Sequence, residues 1–204
     1  MNPGPTVFVV DDDPWIRNCI RRLAETVILP VEEFSSAEEF LATHTSDRQG
    51  CVVLDVRMPG MSGLDLQNKL TELGYRIPII LMSGFGDVSV AVRAMKAGAV
   101  SFLEKPFNEQ LLLDTIQEAM RKDAQIRQEL ARESEVQSRL ALLTPREREV
   151  LDLLVVGNIN KQVAARLQIS EKTVEIHRAH VMKKLQAETI AELVRLAYEA
   201  GAAK

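Results

Sequence analysis

The sequence predicts a doubly wound α/β domain with a five-stranded parallel sheet in the order 2-1-3-4-5. A long helix should join it to an all-α four-helix domain. Three observations predict this. Over about the first 120 residues, short apolar runs rich in β-formers alternate with amphipathic helical stretches. From Phe107 to Thr144 there is neither glycine nor proline, as a long helix requires. Beyond Thr144, four short amphipathic segments follow one another, the middle pair separated by a tight turn.

Each element has its own signal. Val7-Phe8-Val9-Val10 is continuously apolar, as a strand buried on both faces should be. Asp13-Pro14 reads as an N-cap and a first-turn proline, predicting a helix to about residue 28 with Ile16, Cys19, Ile20 and Leu23 on one face. A weaker strand covers 31–34, and Ser36-Ala37-Glu38-Glu39 is a capping box opening the next helix. Strands at 51–54, 79–82 and 101–104 alternate with helices at 62–73 and 88–97. Leu112, Ile116 and Met120 form a core-facing stripe, after which the chain becomes highly charged. A dimerising coiled coil is the alternative to a bridging helix there, but clean heptads are too few to require it.

Thr144-Pro145-Arg146-Glu147 combines a capping box with proline at the first helical position. Val150, Leu151, Leu153 and Leu154 give that helix its apolar face, and Gly157 ends it. Helices over about 160–167, 171–185 and 189–199 complete the set, with Ser170 capping the third.

Composition narrows the function. The 204 residues are 46% apolar and 26% charged, which excludes general disorder. No apolar run approaches the roughly 18 residues of a membrane span, and Met1-Asn2-Pro3-Gly4-Pro5 lacks the basic start of a signal peptide. With only two cysteines, a cytoplasmic protein with no membrane partner is expected. The net charge of −4 hides an asymmetry: residues 1–120 carry 10 Lys/Arg against 17 Asp/Glu, and residues 144–204 carry 10 against 8. An acidic front and a locally basic back predict two domains with different partners.

Polar residues gather where a doubly wound fold puts its site. Asp11 and Asp12 follow strand one, Asp55 strand three, Ser83 strand four and Lys105 strand five. All lie at carboxyl ends of strands, around the switch point between strands one and three. Three carboxylates converging there call for a hard divalent cation, Mg²⁺ (or Mn²⁺). A carboxylate beside such an ion can take up a phosphoryl group, with Ser83 and Lys105 holding its oxygens.

Val9-Val10-Asp11-Asp12-Asp13, the run from Leu54-Asp55-Val56-Arg57-Met58-Pro59-Gly60 to Met61-Ser62-Gly63, Met82-Ser83-Gly84 and Phe102-Leu103-Glu104-Lys105-Pro106-Phe107 together resemble the receiver domain of two-component response regulators, over residues 5–120. The resemblance implies that Asp55 is the phosphoacceptor and that Asp11, Asp12, Asp55 and the Arg57 carbonyl hold the metal. It implies that Ser83 and Phe102 are switch residues and that the Lys105–Pro106 bond is cis. The family often has threonine and tyrosine at the positions of Ser83 and Phe102, so this chain lacks a hydroxyl at the second.

In the C-terminal half, Lys172, Thr173, Glu175, Ile176 and Ala179 lie on the third helix away from its apolar stripe of Val174, Val181 and Leu185, and suit a major groove. Lys161, Arg178, Lys183 and Lys184 are candidate phosphate contacts. His177 and His180, three residues apart, lack a third metal ligand. Leu143-Thr144-Pro145-Arg146-Glu147-Arg148-Glu149-Val150-Leu151, Asn160-Lys161-Gln162-Val163-Ala164 and Ile169-Ser170-Glu171-Lys172-Thr173-Val174-Glu175-Ile176-His177 resemble the LuxR-type DNA-binding domain. The whole chain is thus similar to FixJ-like response regulators: receiver at 5–120, helical linker at 121–138, and DNA-binding domain at 139–204 with its helix-turn-helix at about 160–179. The resemblance implies a sensor histidine kinase, double-stranded DNA and RNA polymerase as partners, and a homodimer on phosphorylation. Glu175, Ile176 and Ala179 would face bases, two of them offering methyl contacts rather than hydrogen bonds.

Two other classes compete. Haloacid-dehalogenase-like phosphatases also use an aspartyl nucleophile with Mg²⁺, but need a second acid two residues later, where this chain has Arg57; it is read as no enzyme. A constitutive DNA-binding protein using its receiver only for dimerisation would not need the acidic cluster.

Overall fold

The apolar runs become five parallel strands in the computed structural model, which describes residues 4–43, 48–84 and 88–199. These are β1 (Thr6–Val10), β2 (Val31–Phe34), β3 (Gly50–Asp55), β4 (Ile79–Ser83) and β5 (Ser101–Glu104), hydrogen-bonded in the order β2-β1-β3-β4-β5. Thr6 pairs with Gly50 and Val10 with Leu54, so Asp11 and Asp55 leave their strands side by side. Asp55 and Ser83 are the last residues of β3 and β4 rather than the first residues beyond them.

Alternation along the strands feeds two cores. Val7, Val9, Cys51, Val53, Ile80 and Met82 pack with α1 (Pro14–Glu25) and the start of α5 (Glu109–Ala141). Phe8, Val10, Val52, Leu54 and Leu81 pack on the other face with α2 (Ala37–Thr43), α3 (Gly63–Glu72) and α4 (Val88–Lys96). Covering both faces is what allows an all-parallel sheet of continuous apolar strands.

The caps behave as short-range chemistry dictates, with two departures. Asp13 accepts from the Trp15 N–H ahead of Pro14, but α1 stops at Glu25, three residues short of the expected end. Leu29 precedes Pro30 and is therefore disfavoured in the helical region. The chain closes with Leu29 N–H donating to Ala24 C=O, and Ile28 takes φ 59°. At α2, Ser36 Oγ accepts from Glu39 N–H, but the Glu39 carboxylate binds Ser35 N–H and Oγ instead of completing the expected box at Ser36. Ser62 caps α3, and Gly63 follows it because a Cβ there would lie 2.1 Å from the Asp55 carbonyl oxygen.

Two compact units divide the chain, Met1–Arg127 and Gln128–Lys204. Residues 121–127 of the expected linker pack within the first unit. Asp123 is buried there, accepting from Gly50 N–H and from Arg127, and Arg127 also donates to Arg48 C=O. Val136 and Leu140 belong to the core of the second unit.

In the second unit, α6 (Pro145–Val155), α7 (Asn160–Leu167), α8 (Glu171–Leu185) and α9 (Ile190–Glu199) surround Val150, Leu151, Val163, Val174, Val181, Leu185 and Leu193. The capping box of Thr144 and Glu147 is complete, and a Schellman closure at Gly157 ends α6. Gln168 in the left-handed region and the Ser170 cap make the short turn that sets α8 against α7. Residues 200–204 of the expected DNA-binding domain lie outside the described residues.

Candidate functional site

At the carboxyl edge of the sheet, Lys105 reaches back from the end of β5 and places Nζ 2.6 Å from Asp11 Oδ2 and 2.5 Å from Asp55 Oδ1. The remaining carboxylate oxygens are held by backbone: Asp13 N–H donates to Asp11 Oδ1 at 2.9 Å, and Arg57 N–H donates to Asp55 Oδ2 at 2.7 Å. Both carboxylates are buried. Burial pushes the Asp11 carboxyl above its ordinary value even with Lys105 and the Asp13 N–H pulling it down. Lys105 loses solvation as well, but its bonds to Asp11 and Asp55 hold it protonated more firmly than usual.

Ser83 is buried at the end of β4, and its carbonyl accepts from Lys105 N–H at 2.7 Å. One backbone contact therefore ties the residue carrying the lysine to the one carrying the serine hydroxyl. Phe102 is half-buried against the core beneath α4. The Lys105–Pro106 bond is cis.

Of the three expected carboxylates, Lys105 bridges two, Asp11 and Asp55. Asp12 is exposed, and among the described residues no three acidic, histidine or cysteine side chains form a metal-sized group. Asp11 turns inward from the β1 alternation, whereas the next residue faces outward toward solvent. The donor set still fits Mg²⁺: every donor is a hard oxygen, a cationic ammonium already sits between two of the carboxylates, and Mg²⁺ is commonly held by one or two carboxylates with retained waters. Arg57 is exposed, and its N–H donates to Asp55.

Arg17 on α1, which sequence reasoning did not single out as a site residue, is also part of this edge. Its Nη1 donates to the Asp11 carbonyl at 2.6 Å, and its Nε lies 3.5 Å from Glu33 Oε2. The only signal in the sequence was its place one turn into the helix that follows the acidic run.

The second candidate surface lies on α7 and α8. Lys161, Lys172, Glu175, Ile176, Ala179 and Lys183 are exposed, with Ile176 at 50%. Thr173 is half-buried, its hydroxyl 2.7 Å from the capping Ser170 Oγ. Arg178 is half-buried and makes a long 3.5 Å contact to Asn160. Lys184 does not join this free set. Its Nζ donates to Glu147 Oε2 at 2.6 Å and to the Leu142 carbonyl at 3.0 Å, so its charge is used inside the domain. Glu147 is buried by the capping box and needs a cation, which is why Lys184 turns inward. His180 Nδ1 lies 3.6 Å from the same carboxylate, and His177 is half-buried.

Comparison with known proteins bears on both surfaces. Residues 7–117 match the family described as the response regulator receiver domain, and residues 141–197 match the bacterial regulatory proteins of the luxR family. The chain is 46% identical over 195 residues to nodulation protein W of Bradyrhizobium diazoefficiens, covering 96% of this chain and 86% of that protein. It is 46% identical over 198 residues to the transcriptional regulatory protein FixJ of Azorhizobium caulinodans, covering 97% and 93%. The solved response regulator StyR is similar over 97% of this chain and all of its own (100%), with a TM-score of 0.83 and 44% identity. Full-length FixJ from B. japonicum is similar over 98% and 99%, with a TM-score of 0.58 and 40% identity.

Proposed function

Because the chain belongs to the response regulators that join a receiver domain to a LuxR-type DNA-binding domain, we propose that Asp55 accepts a phosphoryl group and thereby controls DNA binding by the second unit. A receiver implies a sensor histidine kinase as partner, and a LuxR-type domain implies binding to double-stranded DNA. The observation that carries the proposal is Lys105 Nζ bridging Asp11 and Asp55 beside Ser83, at the switch point of the sheet.

A carboxylate oxygen of Asp55 attacks the phosphorus of a phosphohistidine. The new O–P bond forms as the N–P bond breaks, and the electron pair leaves on the imidazole, which takes a proton. Burial of Asp55 excludes competing water, and the Arg57 N–H fixes the plane of its carboxylate. Lys105 is poised to pair with an oxygen of the incoming group, and the Ser83 hydroxyl, at the end of the adjoining strand, would bind another. Mg²⁺ (or Mn²⁺), held by Asp11, Asp12, Asp55 and the Arg57 carbonyl, would neutralise the phosphoryl oxygens.

In the same proposal the receiver spans 5–120, the linker 121–138 and the DNA-binding domain 139–204, although the two compact units meet at Arg127. The chain acts in the cytoplasm, contacts RNA polymerase, forms a homodimer when phosphorylated and catalyses no turnover of its own as an enzyme. No helix among the described residues is long and apolar enough to cross a membrane.

Intact mass after acetyl phosphate and Mg²⁺ is the test. One phosphoryl group on the wild type and none on Asp55→Asn is expected; equal labelling of both would sink the assignment.

A further inference from the structure

We infer that Arg17 is a positioning residue for the metal ligands, acting through the peptide that joins Asp11 to Asp12; this rests on the proposal that these two aspartates hold Mg²⁺. Three contacts hold this stretch, two on the flanking peptides and one on the Asp11–Asp12 peptide itself. Asp11 N–H donates to the Phe34 carbonyl at 3.1 Å, which ties β1 to the end of β2. Asp13 N–H donates to Asp11 Oδ1 at 2.9 Å, folding the loop over its own side chain. The Asp11 carbonyl then accepts from Arg17 Nη1 at 2.6 Å, the only one of the three contacts made by a side chain from outside the loop and its paired strand.

Asp12 hangs from the far side of this peptide, and no described residue holds its carboxylate. The peptide plane therefore sets where its Cα–Cβ bond leaves the chain, and with it the region its carboxylate can reach. A guanidinium suits the task, because a rigid fork can donate to a carbonyl with one arm and meet a carboxylate with another. Glu33 supplies that carboxylate, 3.5 Å from Arg17 Nε, and also lies 3.4 Å from Arg21. The Arg17 side chain is only 16% exposed, so it is pinned rather than waving in solvent.

Two consequences of the same arginine have opposite signs. As a positive charge near the site it disfavours a dication. As a clamp on the Asp11 carbonyl it favours one, by holding Asp12 where a metal needs it. Glu33, shared with Arg21, offsets part of the charge, and on this inference the clamp outweighs the rest. Residues that orient metal ligands commonly change affinity by 10–100-fold.

The test is Mg²⁺ alone titrated into the full chain and followed by the amide NMR shifts of Asp12 and Asp13. For Arg17→Met, which keeps the aliphatic stem, the Kd should rise roughly tenfold with the rest of the amide spectrum unchanged. Arg17→Lys should recover part of the loss. Tighter binding in Arg17→Met would show that only the charge matters, and an unchanged Kd that the contact is merely structural; either overturns the inference. If Arg17→Met does not fold, Arg17→Leu, which also cannot donate to the Asp11 carbonyl, takes its place, an unchanged Kd again being fatal. Asp12→Ala separates the two levels: if it binds Mg²⁺ like the wild type, the metal assignment itself fails.

Discussion

Gly50 N–H donates to Asp123 Oδ2 at 3.0 Å, fastening the start of β3 to the helix that runs out of the first unit. Arg127 Nε meets the same oxygen at 2.8 Å, and its guanidinium also reaches the Arg48 carbonyl. Arg48 in turn pairs with Glu32 and lies over the Phe8 ring at 4.7 Å. This chain of contacts makes residues 121–127 part of the first unit. Asp123→Ala leaves a buried N–H without its acceptor and should cost about 1–3 kcal/mol. Gly50→Ala should cost more, because a Cβ would meet the Thr6 carbonyl oxygen at 1.8 Å and Gly50 has φ +133°. Trp15, the single tryptophan, lies in the first unit, so urea unfolding followed by its emission reports this loss; an unchanged midpoint for Asp123→Ala would make the contact decorative.

A second prediction concerns acid. The hydrogen bond from Lys184, helped by the Thr144 N–H, holds the Glu147 carboxyl down to about 2 against an ordinary 4.5. A depressed carboxyl stabilises the fold fully above 4.5 and loses that contribution as pH falls toward 2. Lys184→Met should therefore be less stable than the wild type at pH 7, and the gap in thermal midpoint should close as pH drops through this window. A gap that is independent of pH would mean that packing, not the ion pair, is what Lys184 supplies.

The same ion pair separates two roles for lysine in DNA binding. Lys161 and Lys183 are exposed, whereas the Lys184 charge is already spent on Glu147. Each phosphate contact removed should flatten the slope of log K against log salt by about 1. Lys161→Ala and Lys183→Ala should show this flattening, and Lys184→Met should not. Ile176→Ala should leave the slope alone and narrow the affinity gap between operator and random DNA, since an exposed apolar side chain reads base edges rather than phosphates. Equal slopes across all four variants would remove Lys161 and Lys183 from the interface.

What could be read from the sequence was whatever local chemistry determines. Uninterrupted apolar strands, Asp13, Thr144 and Ser170 as caps, and Asp11, Asp55, Ser83 and Lys105 at strand ends all follow from periodicity and short-range hydrogen bonding. Charged residues whose partners lie far away in sequence were not legible. Asp123 looked like a member of a charged stretch and Lys184 like a phosphate contact, yet one is buried against Gly50 and the other is turned onto Glu147. Arg17 escaped notice for the same reason, because its acceptor is a backbone carbonyl with no signature in the sequence. The outward direction of Asp12 required the loop itself.

The last prediction concerns assembly. A single helix-turn-helix reads few base pairs, so specificity calls for two copies on half-sites about one helical turn apart. On α4, Val88, Val92 and Met95 are 74%, 46% and 47% exposed, an apolar group interspersed with Arg93 and Lys96 that suits a contact made and broken rather than a permanent one. A phosphoryl group on Asp55 would compete for Lys105, whose N–H already binds the Ser83 carbonyl, so β4 and β5 would feel the change together. Shifting monomer to dimer from 1:99 to 99:1 requires about 5.5 kcal/mol of differential stabilisation, within reach of several charge-assisted hydrogen bonds. Sedimentation of the full chain with and without beryllofluoride, for the wild type and for Ser83→Ala, measures it. Association that tightens with beryllofluoride in the wild type and much less in Ser83→Ala is the expected result. The same association constant in all four samples would show that the receiver does not govern assembly, and would favour a constitutive dimerisation platform instead.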